Sequence, residues 1–364
     1  MKHPALTIRA VRTRAVSAPM KRPLGTSTAR LEMAPFVLVD LETEEGVSGR
    51  AHAFCYLDIA APLMRRVIAT LGDGLVGATV DPAEISRIGR RRFALLGTPG
   101  VVGMALSALD VACWDALARA AGLPLGRYLG SSTQAVPAYN SSGLSLTDPD
   151  ALAEEAQALL SQGFEAVKIR LGRDDAREDL RAIRRVRDSI PSESALMADY
   201  NQALSVGEAI ERGSALDDEG LEWLEEPVAH DDLIGSARVA AALETPIQIG
   251  ENFSGPATLA AAIEMNASDY VMVDLMRVGG VSGWLQASVL AAKAGLPMSS
   301  HLYPEVSSHL LAATPTAHWL EYVDWAEPFL TAPLSVAAGQ AAVSTEPGTG
   351  VAWDEAAIRQ YDLD

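Results

Sequence analysis

The sequence predicts a modified (β/α)8-type barrel, (β/α)7β, preceded by an N-terminal α+β capping domain. Three observations carry that expectation. The first 130 residues run strands first and helices second. From residue 135 short apolar strands alternate with helical stretches eight times over. Acidic residues then close successive strands at intervals of about one βα unit. The first pattern is that of a separate α+β domain, and the second is that of a barrel whose working groups gather at one mouth.

The N-terminal part, residues 1–130, starts with strand-like alternation over Leu6–Val16 and Phe36–Leu41, and the Glu44-Glu45-Gly46 stretch turns the chain. Helical periodicity follows over 57–71, 82–95 and 101–121, the last ended by Gly122-Leu123-Pro124. The barrel is expected over 131–330. Its strands fall near Val136–Tyr139, Ala166–Leu171, Ala195–Tyr200, Leu221–Glu225, Ile247–Gly250, Tyr270–Leu275, Pro297–His301 and Trp319–Val323. Stretches rich in Ala, Leu, Glu and Arg, such as 150–162, 175–188 and 206–218, supply helices between them. No helical pattern follows the last strand, so seven helices serve eight strands. The Pro- and Gly-punctuated segment 331–364 is expected to pack back on the capping domain. A doubly wound sheet fits less well, because no Gly-rich phosphate loop follows the first strand.

Composition narrows the function. At 364 residues the chain exceeds one average domain, and 49% hydrophobic with 21% charged residues is the balance of a water-soluble globular protein. No apolar run approaches the ~18 residues of a membrane span, and the first residues lack a signal-peptide core. Cys55 and Cys113 form no disulfide or metal framework, so a cytoplasmic location is expected. A formal charge of -18 repels nucleic acid and anionic membranes. An anionic substrate would therefore need positive charge concentrated inside the site, which a divalent cation supplies.

Asp199, Glu225 and Glu251 each end a strand, 26 and 26 residues apart; Asp274 follows after 23 and His301 after a further 27. Glu321 closes the series. One acid at a strand end is unremarkable, but five acids and a histidine at this spacing converge on one barrel mouth. Asp199, Glu225 and Glu251, on adjacent strands, would raise one another's pKa unless a cation lay between them, and an all-oxygen donor set favours Mg²⁺. The plainer alternative is a salt-bridge cluster, but no Lys or Arg stands nearby in sequence to balance all three. Asp274 and His301 end neighbouring strands, so the carboxylate can fix the imidazole's tautomer for general base work. His309 and His318 read as satisfied core residues. Lys168 and Arg170 alternate on strand two and face the barrel interior together, where charges are costly unless they meet a polar mouth or carboxylates.

These residues resemble the enolase superfamily, specifically its mandelate racemase subgroup, over nearly the whole chain. The likeness is densest at Ala198-Asp199-Tyr200-Asn201-Gln202, at Met298-Ser299-Ser300-His301-Leu302 and over Leu310 to Glu321. The resemblance implies that Asp199, Glu225 and Glu251 bind Mg²⁺ and that Asp274–His301 forms one acid/base. It makes Glu321 a protonated carboxylic acid that donates to the substrate carboxylate, with Lys168 touching that carboxylate and the metal site. It places Asn201, Ser141, Leu24, Thr28, Leu31, Phe54, Tyr56, Leu302 and Val323 around a small-molecule carboxylate substrate. It also implies a homo-oligomer, with an octamer as the size to expect.

The subgroup's racemases carry Lys-X-Lys on strand two, and here the second position is Arg170. A guanidinium is a poor base. One reading is a 2-hydroxy-acid racemase or epimerase working through a stabilised enediolate, which the apolar residues among the pocket positions favour. The second is a dehydratase with His301 as sole base. The third is a silent paralogue that only binds metal and carboxylates, which would need none of His301, Asp274 and Glu321 as a set. Lys21, Arg22 and Arg30 lie in the expected lid, where an arginine could meet a second polar group on the substrate.

Overall fold

The computed structural model describes residues 4–27 and 29–363. β1 (Ile8–Gly25), β2 (Arg30–Thr43) and β3 (Ser48–Phe54) form an antiparallel sheet, turned between β2 and β3 at Gly46, whose φ is +80°. β1 runs nine residues beyond the expected Val16, because buried Ala18 and Met20 keep the alternation and Gly25 docks on the barrel. There the Gly25 N–H donates to Ser145 Oγ at 2.9 Å, and the Leu146 N–H donates to the Gly25 carbonyl at 3.2 Å. The β1–β2 tip is thereby the lid over the barrel mouth. Thr28 falls outside the described residues.

Three helices back this sheet: α1 (Ala60–Leu75), α2 (Pro82–Arg92) and α3 (Val101–Ala120). The Asp81 side chain caps α2 by accepting from Ala83 N and Glu84 N, and three arginines occupy its last turn, where the helix dipole favours them. α3 is long and apolar enough to cross a bilayer by length and composition, although Asp110 and Asp115 interrupt its apolar run. It is 83% buried and packs on β3. Close approach is possible because Gly49 of β3 has no side chain; a Cβ there would lie 2.0 Å from the Ala112 carbonyl oxygen.

The barrel strands are β4 (Ala135–Asn140), β5 (Ala166–Arg170), β6 (Ala195–Asp199), β7 (Leu224–Glu225), β8 (Ile247–Ile249), β9 (Tyr270–Asp274), β10 (Met298–His301) and β11 (Leu320–Tyr322). All pair in parallel, and β11 returns to β4. Backbone bonds from Ser300 N to Trp319 O and from His318 N to Met298 O link β10 to the approach of β11. Tyr139, Ala166, Met197 and Trp223 fill the interior below the mouth. After β11 the chain makes a 3₁₀ turn at Glu327–Phe329 and a hairpin of β12 (Val336–Ala337) and β13 (Gln340–Ala342), which extends β4 antiparallel. The chain then meets the N-terminal sheet: Trp353 Nε1 donates to Asp40 Oδ1 at 2.8 Å, and Ser17 N to the Tyr361 carbonyl at 2.8 Å.

His309, on the helix Pro304–Ala312, is fully buried. Its Nδ1 accepts from Gly126 N at 3.1 Å and its Nε2–H donates to the Thr349 carbonyl at 3.2 Å, which fixes the neutral tautomer. Burial, only partly offset by Thr349, lowers its pKa to about 4. The folded value lies below the unfolded one of about 6.5, so this contribution to stability is present above pH 6.5 and is lost as pH falls toward 4. Between pH 7 and pH 5 the loss is roughly 2 kcal/mol. Urea unfolding at both values checks this, and His309→Gln is expected to flatten that part of the pH dependence.

Candidate active site

Parallel register sets the acidic residues level. Asp199 lies opposite Glu225, Arg170 opposite Asp199, and His301 opposite Asp274. Carboxylate oxygens of Asp199, Glu225 and Glu251 all lie within 4.8 Å of one another. Three carboxylates this close, with only oxygen donors among them, could share one Mg²⁺ once their side chains draw in. The donor set is all oxygen, and Asn201 Oδ1 is buried beside it without a partner. These residues fit Mg²⁺.

Lys168 Nζ stands 2.5 Å from Glu225 Oε1, 3.0 Å from Glu321 Oε1 and 3.2 Å from Asp199 Oδ2. Lys168 thus touches two of the metal-site acids and Glu321 at once, a counter-charge from a strand distant in sequence from them. Burial alone would drive the proton off Lys168, but Glu225, Glu321 and Asp199 reverse that and hold the ammonium well above its ordinary range. One ammonium does not suffice: burial, reinforced by Asp199, Glu321 and Glu251, still leaves the Glu225 carboxyl raised despite Lys168. That deficit of positive charge is what a divalent cation would fill.

Glu321 is buried between Lys168 and His301. Burial pushes it up, but Lys168, His301 and the Leu302 N–H, which donates to Oε2 at 3.0 Å, outweigh that and bring it to about 2. His301 Nδ1 lies 2.8 Å from Asp274 Oδ2, and its Nε2 lies 3.2 Å from Glu251 and 3.8 Å from Glu321. Burial lowers the imidazole pKa, yet Glu251, Glu321 and Asp274 raise it to about 9. Asp274 is itself fixed, accepting from Met276 N and Arg277 N at 2.8 and 2.9 Å.

Arg170 is buried and tethered. Its Nη1 donates to the Ser141 and Gly143 carbonyls at 3.3 and 2.8 Å, and its Nη2 to Ser141 Oγ at 3.2 Å. Ser141, expected against the substrate, instead anchors this guanidinium.

A cavity of about 210 Å³ opens above these groups. Leu24, Leu31, Tyr56, Asn201 and Leu302 line it as the sequence suggests. Phe54 and Val323 do not. They border a smaller void behind, with the Phe54 ring 4.6 Å from that of Tyr56 and 5.0 Å from that of Trp325. Among the lining residues that sequence reasoning missed are Thr26, Gln202, Asn252, Arg277 and Trp325, so the wall mixes polar and apolar groups. Glu226 was also missed, although it adjoins Glu225. It is buried, accepts from Asn252 Nδ2 at 2.8 Å, and is pushed well up by burial and by Glu251. The lid cations turn elsewhere: Lys21 pairs with Glu327, Arg22 with Glu155, and Arg30 with Glu32.

Residues just past the strand ends sit in the left-handed region: Asn201 and Gln202 (φ 45° and 66°), Glu226 (33°), Leu302 and Tyr303 (55° and 50°). Such conformations cost roughly 1–3 kcal/mol each and cluster where function over-determines the backbone. Here they re-aim the chain so that strand-end side chains converge.

The closed barrel thus carries, at its C-terminal mouth, three carboxylates placed to share a cation and an Asp–His pair beside them. Residues 8–130 match the mandelate racemase / muconate lactonizing enzyme N-terminal domain, and residues 151–357 the enolase C-terminal domain-like family. The chain belongs to the enolase superfamily, in its mandelate racemase/muconate lactonizing enzyme group, whose members use Mg²⁺. It is similar to an enolase from alpha pretobacterium bal199 solved with bound Mg (42% identity, TM-score 0.96, covering 98% of this chain and 99% of that one). A Bradyrhizobium enolase in complex with magnesium and mandelic acid is 41% identical, with a TM-score of 0.94 and 99% of each chain covered. The L-talarate/galactarate dehydratase of Salmonella typhimurium is 36% identical over 297 residues, 80% of this chain and 74% of that protein. More distant relatives include an epimerase and a racemase.

Proposed function

We propose that this chain is a Mg²⁺-dependent hydro-lyase that dehydrates a 2,3-dihydroxy carboxylate, with His301 as its only base. The observation that carries the reading is the engagement of both strand-two cations. Lys168 is shared among three carboxylates, and Arg170 is bonded to Ser141 and Gly143. Neither offers a lone pair to the face of the substrate opposite His301.

Asp199, Glu225 and Glu251 would hold Mg²⁺. Bound there, the ion supplies positive charge against the charge that develops on the substrate carboxylate, and it weakens the hold of Glu251 on the His301 proton. Asp274 Oδ2 takes the Nδ1–H of His301 and leaves the Nε2 lone pair facing the cavity. Nε2 accepts the α-proton, and the C–H electron pair becomes the C2–C3 double bond as the C3–O bond breaks. The imidazolium returns that proton to the departing hydroxide, so water leaves and the enol ketonises to a 2-keto-3-deoxy acid. Glu321 starts as a carboxylate, and a substrate carboxylate beside it raises its proton affinity. Lys168 Nζ, 3.0 Å away, stays an ammonium and donates a hydrogen bond to it.

A racemase remains the second reading, favoured by the apolar wall of Leu24, Leu31, Leu302 and Trp325 and by the mandelic acid of the Bradyrhizobium complex. It requires strand two to release a base. Arg170→Lys is accordingly expected to give α-proton exchange from the enantiomer that the parent leaves untouched, because an amine is more readily tuned toward neutral pH than a guanidinium. NMR of each pure enantiomer in D₂O checks this. Chelation of the metal is expected to abolish exchange and added Mg²⁺ to restore it. Full activity in metal-free enzyme would sink the three-carboxylate assignment.

A further inference from the structure

Trp223 stands two residues before Glu225, at the entry to β7. Strand alternation sends both side chains to the barrel interior, the indole one layer beneath the carboxylate. The ring is fully buried against Tyr139, Ala166 and Met197, and lies edge-on to Tyr139 at 5.4 Å and to Tyr270 at 6.5 Å. Packed in this way it has one orientation, and a buried indole N–H needs an acceptor. That acceptor is Glu225 Oε2, 3.0 Å from Nε1.

The other oxygen of Glu225 is taken as well, by Lys168 Nζ at 2.5 Å. Its two companions in the cation site are steadied by residues just past their own strand ends. Asp199 accepts from Asn201 N at 2.7 Å and Asn201 Nδ2 at 3.0 Å, and Glu251 from Asn252 Nδ2 at 3.0 Å. Glu225 has no such donor among the described residues, so the indole beneath it sets its aim. A carboxylate tied through each oxygen to a different neighbour resists the turn that points both oxygens at one ion. Mg²⁺ demands near-octahedral geometry and is suited by single oxygens, whereas the larger Ca²⁺ takes about six to eight, often both oxygens of one carboxylate. We propose that Trp223 is a positioning residue of the cation site, whose N–H holds Glu225 to single-oxygen ligation and so makes the site select Mg²⁺ over Ca²⁺. The inference rests on Asp199, Glu225 and Glu251 being the metal ligands, and it is independent of the reaction that follows.

The test is calorimetric titration of the metal-free protein and of Trp223→Phe with Mg²⁺ and with Ca²⁺, in the absence of substrate. Phenylalanine keeps an aromatic ring and removes the N–H. The parent is expected to bind Mg²⁺ the more tightly. In the variant, Mg²⁺ affinity should fall about 10–100-fold, the usual consequence of losing a group that orients a metal ligand. Ca²⁺ affinity should fall far less, so that the preference shrinks ten-fold or more. Equal losses for the two ions are what looser packing alone gives, and they would overturn the proposal, as would a parent that prefers Ca²⁺. A parent that binds neither ion would remove the three-carboxylate assignment and the proposal with it, whereas equal losses strike the proposal alone. Should Trp223→Phe not fold, NMR of the parent decides: the Trp223 indole proton, identified by its Overhauser contacts with the Tyr139 ring, should shift on saturation with Mg²⁺. An indole signal that Mg²⁺ leaves unmoved would overturn the role.

Discussion

His301→Asn is expected to stop α-proton exchange from every substrate and from both enantiomers, with turnover falling by roughly 10²–10⁴-fold or more. The expectation follows from the two faces of the site. On one, His301 Nε2 is exposed to the cavity and oriented by Asp274 at 2.8 Å. On the other, Lys168 and Arg170 are both spent on protein partners. An asparagine can still hydrogen-bond Asp274, so the fold and the cation site should survive, which Mg²⁺ binding by calorimetry verifies. Exchange that persists from one enantiomer would reveal a second proton carrier on strand two.

Lys168→Met should be the most damaging change to stability in the metal-free protein. Lys168 is 1% exposed and touches Asp199, Glu225 and Glu321, so its removal leaves buried carboxylates facing one another without a counter-charge. Breaking a buried ion pair from one side costs about 3–5 kcal/mol. Because a divalent cation restores positive charge beside Glu225 and Asp199, saturating Mg²⁺ should recover part of the loss. Urea unfolding of parent and variant, with and without Mg²⁺, gives the four values needed. A variant as stable as the parent without metal would mean that the acids are neutral and that Lys168 does not balance them.

The barrel was legible because each strand is a short apolar run bounded by turns, and because a parallel barrel sends its strand ends to one mouth. Sequence spacing alone then brought Asp199, Glu225, Glu251, Asp274, His301 and Glu321 together. What stayed hidden is non-local or depends on backbone that leaves regular geometry. Lys168 meets Glu225 across 57 residues of chain, so its place beside these acids came from the family resemblance and from nothing adjacent in sequence. Phe54 and Tyr56 share a face on simple alternation. Tyr56, however, lies past the end of β3 at a φ of 60°, and this separates the lining residue from the one packed behind it. Arg277 escaped notice because it stands in the turn after a strand rather than at the strand's end, where the spacing argument looked.

In the proposed reaction one histidine carries the proton and the product has lost water. It is tested most directly by ¹H NMR of Mg²⁺-loaded protein in D₂O with a panel of 2,3-dihydroxy mono- and dicarboxylates, each as a single stereoisomer. A 2-keto-3-deoxy acid is expected from at least one of them, with no build-up of that substrate's C2 epimer. Accumulation of the C2 epimer carrying deuterium at C2, with no keto acid from any member of the panel, would contradict it.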